Sequence, residues 1–278
     1  MSIHQVPQLP LNNGVTIPQL GFGTFLVPPA EAAQVTLAAL DVGYRHLDTA
    51  QMYGNEAGVG QAIRDSGLPR DEVFVTTKLN NGFHERKAAL AAFDGSLTAL
   101  GLEYVDLFLI HWPLPKRGQY VEAWAALVEL LAQGRVRAIG VSNFHAAHLQ
   151  QIIAATDVVP AVNQIEVHPY LRQDALRATN AELGIATEAW SPIARGRVLA
   201  DPVIEQIAQA HERTPAQVTL RWAIQRGDIV FPKSMHPDRM RENFELFDFD
   251  LSPAEMAAID GLDRGERTGP DPELFNRV

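Results

Sequence analysis

Eight short strand-like runs alternate with amphipathic helical stretches along this chain, and no linker or low-complexity segment interrupts them. That alternation restricts the fold more than any single motif does. The runs fall at 20–23, 45–48, 73–77, 105–110, 138–141, 161–165, 186–190 and 229–231. Residues 30–41, 56–66, 85–100, 121–133, 146–155, 173–183, 202–213 with 215–225, and 237–246 carry apolar side chains at helical spacing. Asp174 and Thr214-Pro215 read as helix starts, and Gly43, Gly67, Gly101, Gly134, Gly184 and Gly227 read as helix ends.

Eight such units in 278 residues point to one α/β domain over 1–278, a (β/α)8 TIM barrel. A doubly wound open sheet is the alternative. It is disfavoured because no Gly-x-Gly-x-x-Gly leaves the first strand and opens a helix; Gly21-Phe-Gly23 is too short. Two apolar runs around Asn13-Gly14 predict an N-terminal β-hairpin. An extra helix is expected at 253–261, capped by Ser252, and the tail 263–278 either folds over the barrel mouth or stays disordered.

A formal charge of −10 argues against a general nucleic-acid binder, which needs clustered Lys and Arg. No apolar run reaches the ~18 residues of a membrane helix, and the start of the chain lacks a signal-peptide pattern. The chain has no cysteine, which fits a reducing cytoplasm. A monomer is expected, since no helix shows an apolar outer face.

In a barrel of this kind, residues just after each strand face one common mouth. Here they are Thr24 and Phe25; Asp48 and Tyr53; Lys78; His111 and Trp112; Ser142 and Asn143; Gln164 and Glu166; Trp190 and Ser191; Lys233 and Ser234. A phenol is a usable proton donor, a lysine beside it favours the phenolate, a carboxylate keeps that lysine charged, and a histidine can orient a carbonyl oxygen. Taken singly each has a plainer reading: a loop carboxylate and phenol, a strand-end lysine reaching water, a satisfied core histidine. Their occurrence on successive strand ends favours chemistry. His145-x-x-His148 lacks a third ligand and reads as a solvated helix face, so no metal site is expected; His46 and His168 read as structural.

A second cluster follows the last strand. Lys233-Ser234-Met235-His236-Pro237 leads into a helix with Arg239 and Arg241 in its first turns. Cations at a helix start oppose its dipole and imply an anion there, unless they form a solvated basic patch.

Several blocks resemble the aldo-keto reductase family: Gly43-Tyr-Arg-His-Leu-Asp48-Thr-Ala-Gln-Met-Tyr53-Gly-Asn-Glu56, Val105-Asp-Leu-Phe-Leu-Ile-His111-Trp-Pro113, Gly140-Val-Ser-Asn-Phe144, Val162-Asn-Gln-Ile-Glu-Val-His-Pro169 and Phe231-Pro-Lys-Ser234. In detail the chain resembles the bacterial 2,5-diketo-gluconate reductase branch, as in Phe247-Asp-Phe-Asp250. The resemblance implies NADPH/NADP+ as cofactor and reduction of small aldehydes or ketones. It implies Tyr53 as general acid, Lys78 and Asp48 as tuners of its pKa, and His111 as the carbonyl-orienting group. Ser142, Asn143 and Gln164 would hold the carboxamide and Trp190 would stack on the nicotinamide. Lys233, Ser234 and Arg239 would grip the 2′-phosphate, Glu242 and Asn243 would reach the adenine, and Thr24, Ser191, Pro192 and Met235 would complete the cofactor site. Phe25 and Trp112 would line the substrate pocket.

Two departures from the family pattern stand out. Lys78 is followed by Leu-Asn-Asn-Gly82 where the family has Leu-Trp, so an aromatic wall is missing or supplied by Phe83. Arg195 and Arg197 occupy a loop where related chains carry smaller residues; they offer a contact to the pyrophosphate or an acidic substrate, or else point to solvent. Two other functions compete: a Schiff-base aldolase on Lys78, and a non-catalytic NADPH-sensing protein.

Overall fold

The computed structural model describes residues 6–278; the first five residues, within the stretch read for a targeting signal, lie outside them. The elements run β1 (Gln8–Pro10), β2 (Thr16–Pro18), β3 (Phe22–Gly23), α1 (Ala32–Val42), β4 (His46–Asp48), α2 (Glu56–Asp65), β5 (Phe74–Leu79), α3 (Arg86–Leu100) and β6 (Val105–Ile110). Then follow α4 (Tyr120–Ala132), β7 (Val136–Ser142), α5 (Ala146–Thr156), β8 (Val162–Glu166), α6 (Asp174–Glu182) and β9 (Ala186–Trp190). The chain continues with α7 (Pro202–Ala210), α8 (Pro215–Gln225), β10 (Ile229–Val230), α9 (Pro237–Phe244) and α10 (Pro253–Asp260).

Strands β3 to β10 form one parallel sheet in chain order. The sheet returns on itself: Leu20 bridges Val230 in parallel, with Val230 N donating to Gln19 O at 3.0 Å and Gly21 N to Val230 O at 2.9 Å. The result is the expected (β/α)8 barrel. β5 and β6 are buried along their whole length, which explains why their sequences read as nearly continuous apolar runs. Their outer faces meet the helices, while Phe74, Leu107, Leu109, Val162, Ile229 and Phe231 pack inside the barrel. β5 extends to Leu79, so Lys78 sits on the strand itself, where its position is fixed by the ladder.

The hairpin β1–β2 plugs the N-terminal end. Leu11 and Ile17 join the interior cluster, and Asn12 and Asn13 donate from Nδ2 to Pro160 O and Arg137 O, each at 2.9 Å. Thr214 and Ser252 cap α8 and α10 as expected, each reciprocated by a side chain three residues on. Helices α2 and α3 touch at Gly60, where a Cβ would lie 1.8 Å from Leu100 O, so only glycine allows that approach. No helix among the described residues is long and apolar enough to cross a membrane.

The tail crosses the barrel mouth. Thr268 N donates to Glu166 Oε1 at 2.5 Å, Phe275 packs on Trp112 with ring centroids 4.5 Å apart, and Asn81 Nδ2 donates to Arg277 O at 2.8 Å. Glu273 reaches His145 at 3.0 Å and His148 at 3.3 Å. The His145/His148 pair is therefore not a solvated helix face: His148 is buried, and its Nδ1 accepts from His145 N at the start of α5.

Candidate active site

β4 ends at Asp48 and leads into a single helical turn, Gln51–Tyr53, closed by Gly54 at φ 67. Two side chains hold this turn. Gln51 donates to Ala92 O (2.7 Å) and Ser96 Oγ (2.9 Å) and accepts from Asn80 N (2.7 Å). Asn55 donates to Thr24 O (2.9 Å) and accepts from Thr49 Oγ1 (2.8 Å), linking the loops after β3 and β4. Tyr53 is thus presented on a braced loop, partly exposed at the mouth.

Lys78 has no solvent exposure, and its Nζ donates to Asp48 Oδ1 (2.7 Å), Asp48 Oδ2 (2.8 Å) and Thr49 O (2.9 Å). All three ammonium hydrogens are used. Burial alone would lower the Lys78 pKa, but the charges of Asp48 and Tyr53 and the bond to Asp48 reverse that, and the net direction is upward. The ammonium lies 5.1 Å from the Tyr53 ring centroid. Burial raises the Tyr53 phenol; the Lys78 charge opposes the rise and Asp48 adds to it. The net shift is upward, against the lowering expected from the lysine, because desolvation of the phenolate outweighs Coulomb attraction. The phenol therefore keeps its proton through neutral pH, as a proton donor must.

His111 stands edge-on to Tyr53, ring centroids 5.7 Å apart. Burial, reinforced by the Lys78 charge, holds its pKa well below the usual histidine value, so the ring is neutral. Phe25 lies on the other side of Tyr53 at 5.2 Å. Thr24 is fully buried and donates to Asp48 O at 3.0 Å.

On the opposite wall Asn143, at φ 66, donates to His111 O (2.9 Å) and Ser142 Oγ (3.0 Å) and accepts from Trp190 Nε1 (2.9 Å). Ser142 Oγ donates to Gln164 O at 2.8 Å. Left-handed non-glycine residues recur on these loops: Leu26, Leu114, Asn143, Ser191, Ala194 and Arg195 all follow strand C-terminal ends. Such strain concentrates at functional sites.

Lys233, Ser234, Met235, Arg239, Glu242 and Asn243 line one cavity of about 480 Å³. Among the described residues neither Lys233 nor Arg239 has a carboxylate partner, although most other arginines do. Ser191 and Pro192 follow Trp190 on the turn that reaches this cavity through Ile193. Of the two unusual arginines, Arg197 pairs with Glu266 of the tail at 2.9 Å, and Arg195 is exposed.

Three features escaped the sequence reading. Glu188 is completely buried and accepts from Gln164 Nε2 at 2.8 Å, and the same Nε2 donates to Asp48 Oδ2 at 2.8 Å. Strand alternation could have found it, since Glu188 shares the inward face of Trp190 two residues on. Phe275 supplies an aromatic surface against Trp112. Gly269 lies so close to Trp190 that a Cβ there would be 2.4 Å from the indole. No periodicity marks the last two.

A barrel with a phenol, a buried lysine–carboxylate pair and a neutral imidazole at its mouth, and two uncompensated cations after its last strand, defines a class of oxidoreductase scaffold. Residues 19–264 match the Aldo/keto reductase family, and the chain belongs to that family. It is 51% identical to morphine 6-dehydrogenase of Pseudomonas putida, over 96% of this chain and 94% of that one. It is 50% identical to the methylglyoxal reductase DkgA of Yersinia pestis, over 97% of each. The crystal structure of a Gox0644 mutant in complex with NADPH matches with a TM-score of 0.95 at 46% identity, covering 98% of this chain and 99% of that chain.

Proposed function

We propose that this protein reduces aldehyde or ketone groups of small carbonyl compounds to alcohols with NADPH, Tyr53 acting as the general acid. The observation that carries the reading is the buried Lys78, fully hydrogen-bonded to Asp48 and Thr49 and set beneath a phenol flanked by a neutral histidine. NADP(H) fits the residues present: Lys233 and Arg239 line one cavity of an acidic chain without a carboxylate partner among the described residues, as a 2′-phosphate requires. When bound, the cofactor supplies the hydride. Lys233, Ser234 and Arg239 hold its phosphate, and Glu242 and Asn243 reach the adenine. Thr24, Ser191, Pro192 and Met235 complete the site. Ser142, Asn143 and Gln164 hold the carboxamide, and Trp190 presents its indole to the nicotinamide.

His111, neutral, donates a hydrogen bond to the carbonyl oxygen and orients it. As negative charge develops there, the Tyr53 hydroxyl gives up its proton to that oxygen. Lys78 stabilises the phenolate left behind, and Asp48 keeps Lys78 charged. In the oxidative direction Tyr53 takes the proton back. Phe25, Trp112 and Phe275 supply apolar walls for the substrate. Methylglyoxal-like dicarbonyls are favoured by the name of one relative, a methylglyoxal reductase, and diketo-sugar acids by the resemblance carried in Phe247-Asp-Phe-Asp250; the short loop after β6 leaves the mouth open to both. The same reading has the chain work as a cytoplasmic monomer.

A Lys78 Schiff base is disfavoured, because a nucleophilic amine needs a lowered pKa and a free lone pair, whereas Lys78 is held charged. A pure NADPH sensor would have no use for the Tyr53–Lys78–Asp48 set. Initial rates over a carbonyl panel with NADPH and NADH in parallel test the proposal. Turnover with NADPH preferred is expected; tight NADPH binding without turnover would overturn it, and better use of NADH would overturn the phosphate assignment.

A further inference from the structure

Glu188 is a carboxyl group with no part in the mechanism above, yet it is wired into it. It sits midway along β9, facing the barrel axis, with no exposed surface. Its Oε2 accepts from Gln164 Nε2 at 2.8 Å, and its Oε1 has no partner. The second hydrogen of the same Gln164 nitrogen goes to Asp48 Oδ2 at 2.8 Å, and Asp48 in turn holds Lys78. One side-chain amide on β8 thus bridges two carboxyl groups carried by separate strands, β4 and β9, inside the barrel. Only the nitrogen can do this, so the bridge fixes which way round Gln164 stands and turns its Oε1 away from both acids.

We propose that Glu188 is a positioning residue of the carbonyl reduction, acting through Gln164 on Asp48 and thereby on the Lys78–Tyr53 proton donor. The proposal rests on the reading of those residues given above.

Two ionised carboxylates around one amide would leave the inner barrel one negative charge in excess over Lys78. Glu188 therefore serves as the neutral acceptor of the pair. Burial and the Asp48 charge push its pKa up to about 8, against the opposing Gln164 bond and Lys78 charge. The charged and titratable groups facing it are Asp48 on β4 and Lys78 on β5. His46, also on β4, is held to about 3 by burial and remains neutral. β10, paired beside it through Ile229, brings no titratable group. Ionisation of Glu188 adds negative charge near Lys78, weakens its hold on the Tyr53 phenolate and makes the phenol a poorer acid.

The test compares the unaltered enzyme with Glu188→Gln and Glu188→Leu. Glu188→Gln keeps a neutral acceptor for Gln164; Glu188→Leu removes it. Expected are an alkaline break near pH 8 in the unaltered enzyme and, in Glu188→Gln, near-normal kcat at neutral pH without that break. For Glu188→Leu, kcat should fall about tenfold or more as the chain loosens, with NADPH affinity by fluorescence less affected. Infrared difference spectra should show a protonated-carboxyl band at neutral pH that titrates away at high pH and is absent from Glu188→Gln. Superimposable pH profiles for the unaltered enzyme and Glu188→Gln would overturn the inference, as would a missing band in an active enzyme. Should Glu188→Leu fail to fold, the Glu188→Gln profile still decides. A Glu188 band in a protein that reduces no carbonyl would instead overturn the functional reading, and with it any role in turnover.

Discussion

Lys78 and Asp48 form a two-point pair inside the barrel, Nζ to Oδ1 at 2.7 Å and to Oδ2 at 2.8 Å, with the lysine fully buried and the aspartate nearly so. A charge pair this deep stabilises little by itself, because desolvation consumes most of the Coulomb gain. Its value lies in what it holds in place, a permanent cation under a phenol.

Replacing one partner therefore damages both stability and turnover. Lys78→Met leaves Asp48 buried with its charge uncompensated, which costs about 3–5 kcal/mol. Denaturant unfolding should register that loss, while single-turnover reduction with saturating NADPH slows sharply.

In the proposed function, cofactor choice rests on Lys233 and Arg239, two cations without a carboxylate partner among the described residues. A charge-assisted contact contributes about 1.5–3 kcal/mol. Lys233→Ala or Arg239→Ala should each raise the KM for NADPH by roughly ten- to a hundredfold. The KM for NADH should hardly move, and the ratio of kcat/KM values for the two cofactors reads this directly.

The tail is anchored on a buried carboxylate. Glu166 Oε1 accepts from His168 Nε2 at 3.1 Å and Thr268 N at 2.5 Å, and Gly269 N donates to the same oxygen at 3.2 Å. Glu166→Ala strips these donors of their acceptor and should free the segment 263–278 for protease cleavage. Phe275→Ala leaves the anchor intact but uncovers Trp112, so its effect should fall on the KM of the carbonyl substrate, not on proteolysis.

Glu188 also links stability to pH. In the unfolded chain it ionises at its ordinary value of 4.5, whereas the folded protein keeps it protonated up to about 8. Between those values the folded state binds one more proton, so stability falls as pH rises, by about 1.4 kcal/mol per pH unit. The advantage of Glu188→Gln in unfolding free energy should grow across that window and level off above it.

The barrel was legible because its signal is periodic. Strands β6 and β9 match the sequence reading at both ends, and Tyr53, Lys78 and His111 fell into place once strand ends were aligned. What stayed hidden depends on distant contacts. Leu11 and Ile17 read as hairpin residues, and nothing local says that they plug the barrel. His148 looked like a surface residue because its partner, Glu273, lies far along the chain in a segment without periodicity. The rise in the Tyr53 pKa was missed for a related reason: spacing reveals the neighbouring lysine but not the depth of burial that outweighs it.

In the proposed reaction the Tyr53 hydroxyl delivers the proton. Tyr53→Phe keeps the ring beside Phe25 and His111 and removes only that hydroxyl, so single-turnover reduction of a reactive aldehyde with saturating NADPH isolates the proton step. The expected result is a fall of roughly a hundred- to ten-thousandfold with NADPH binding preserved. Near-normal turnover by Tyr53→Phe would contradict it.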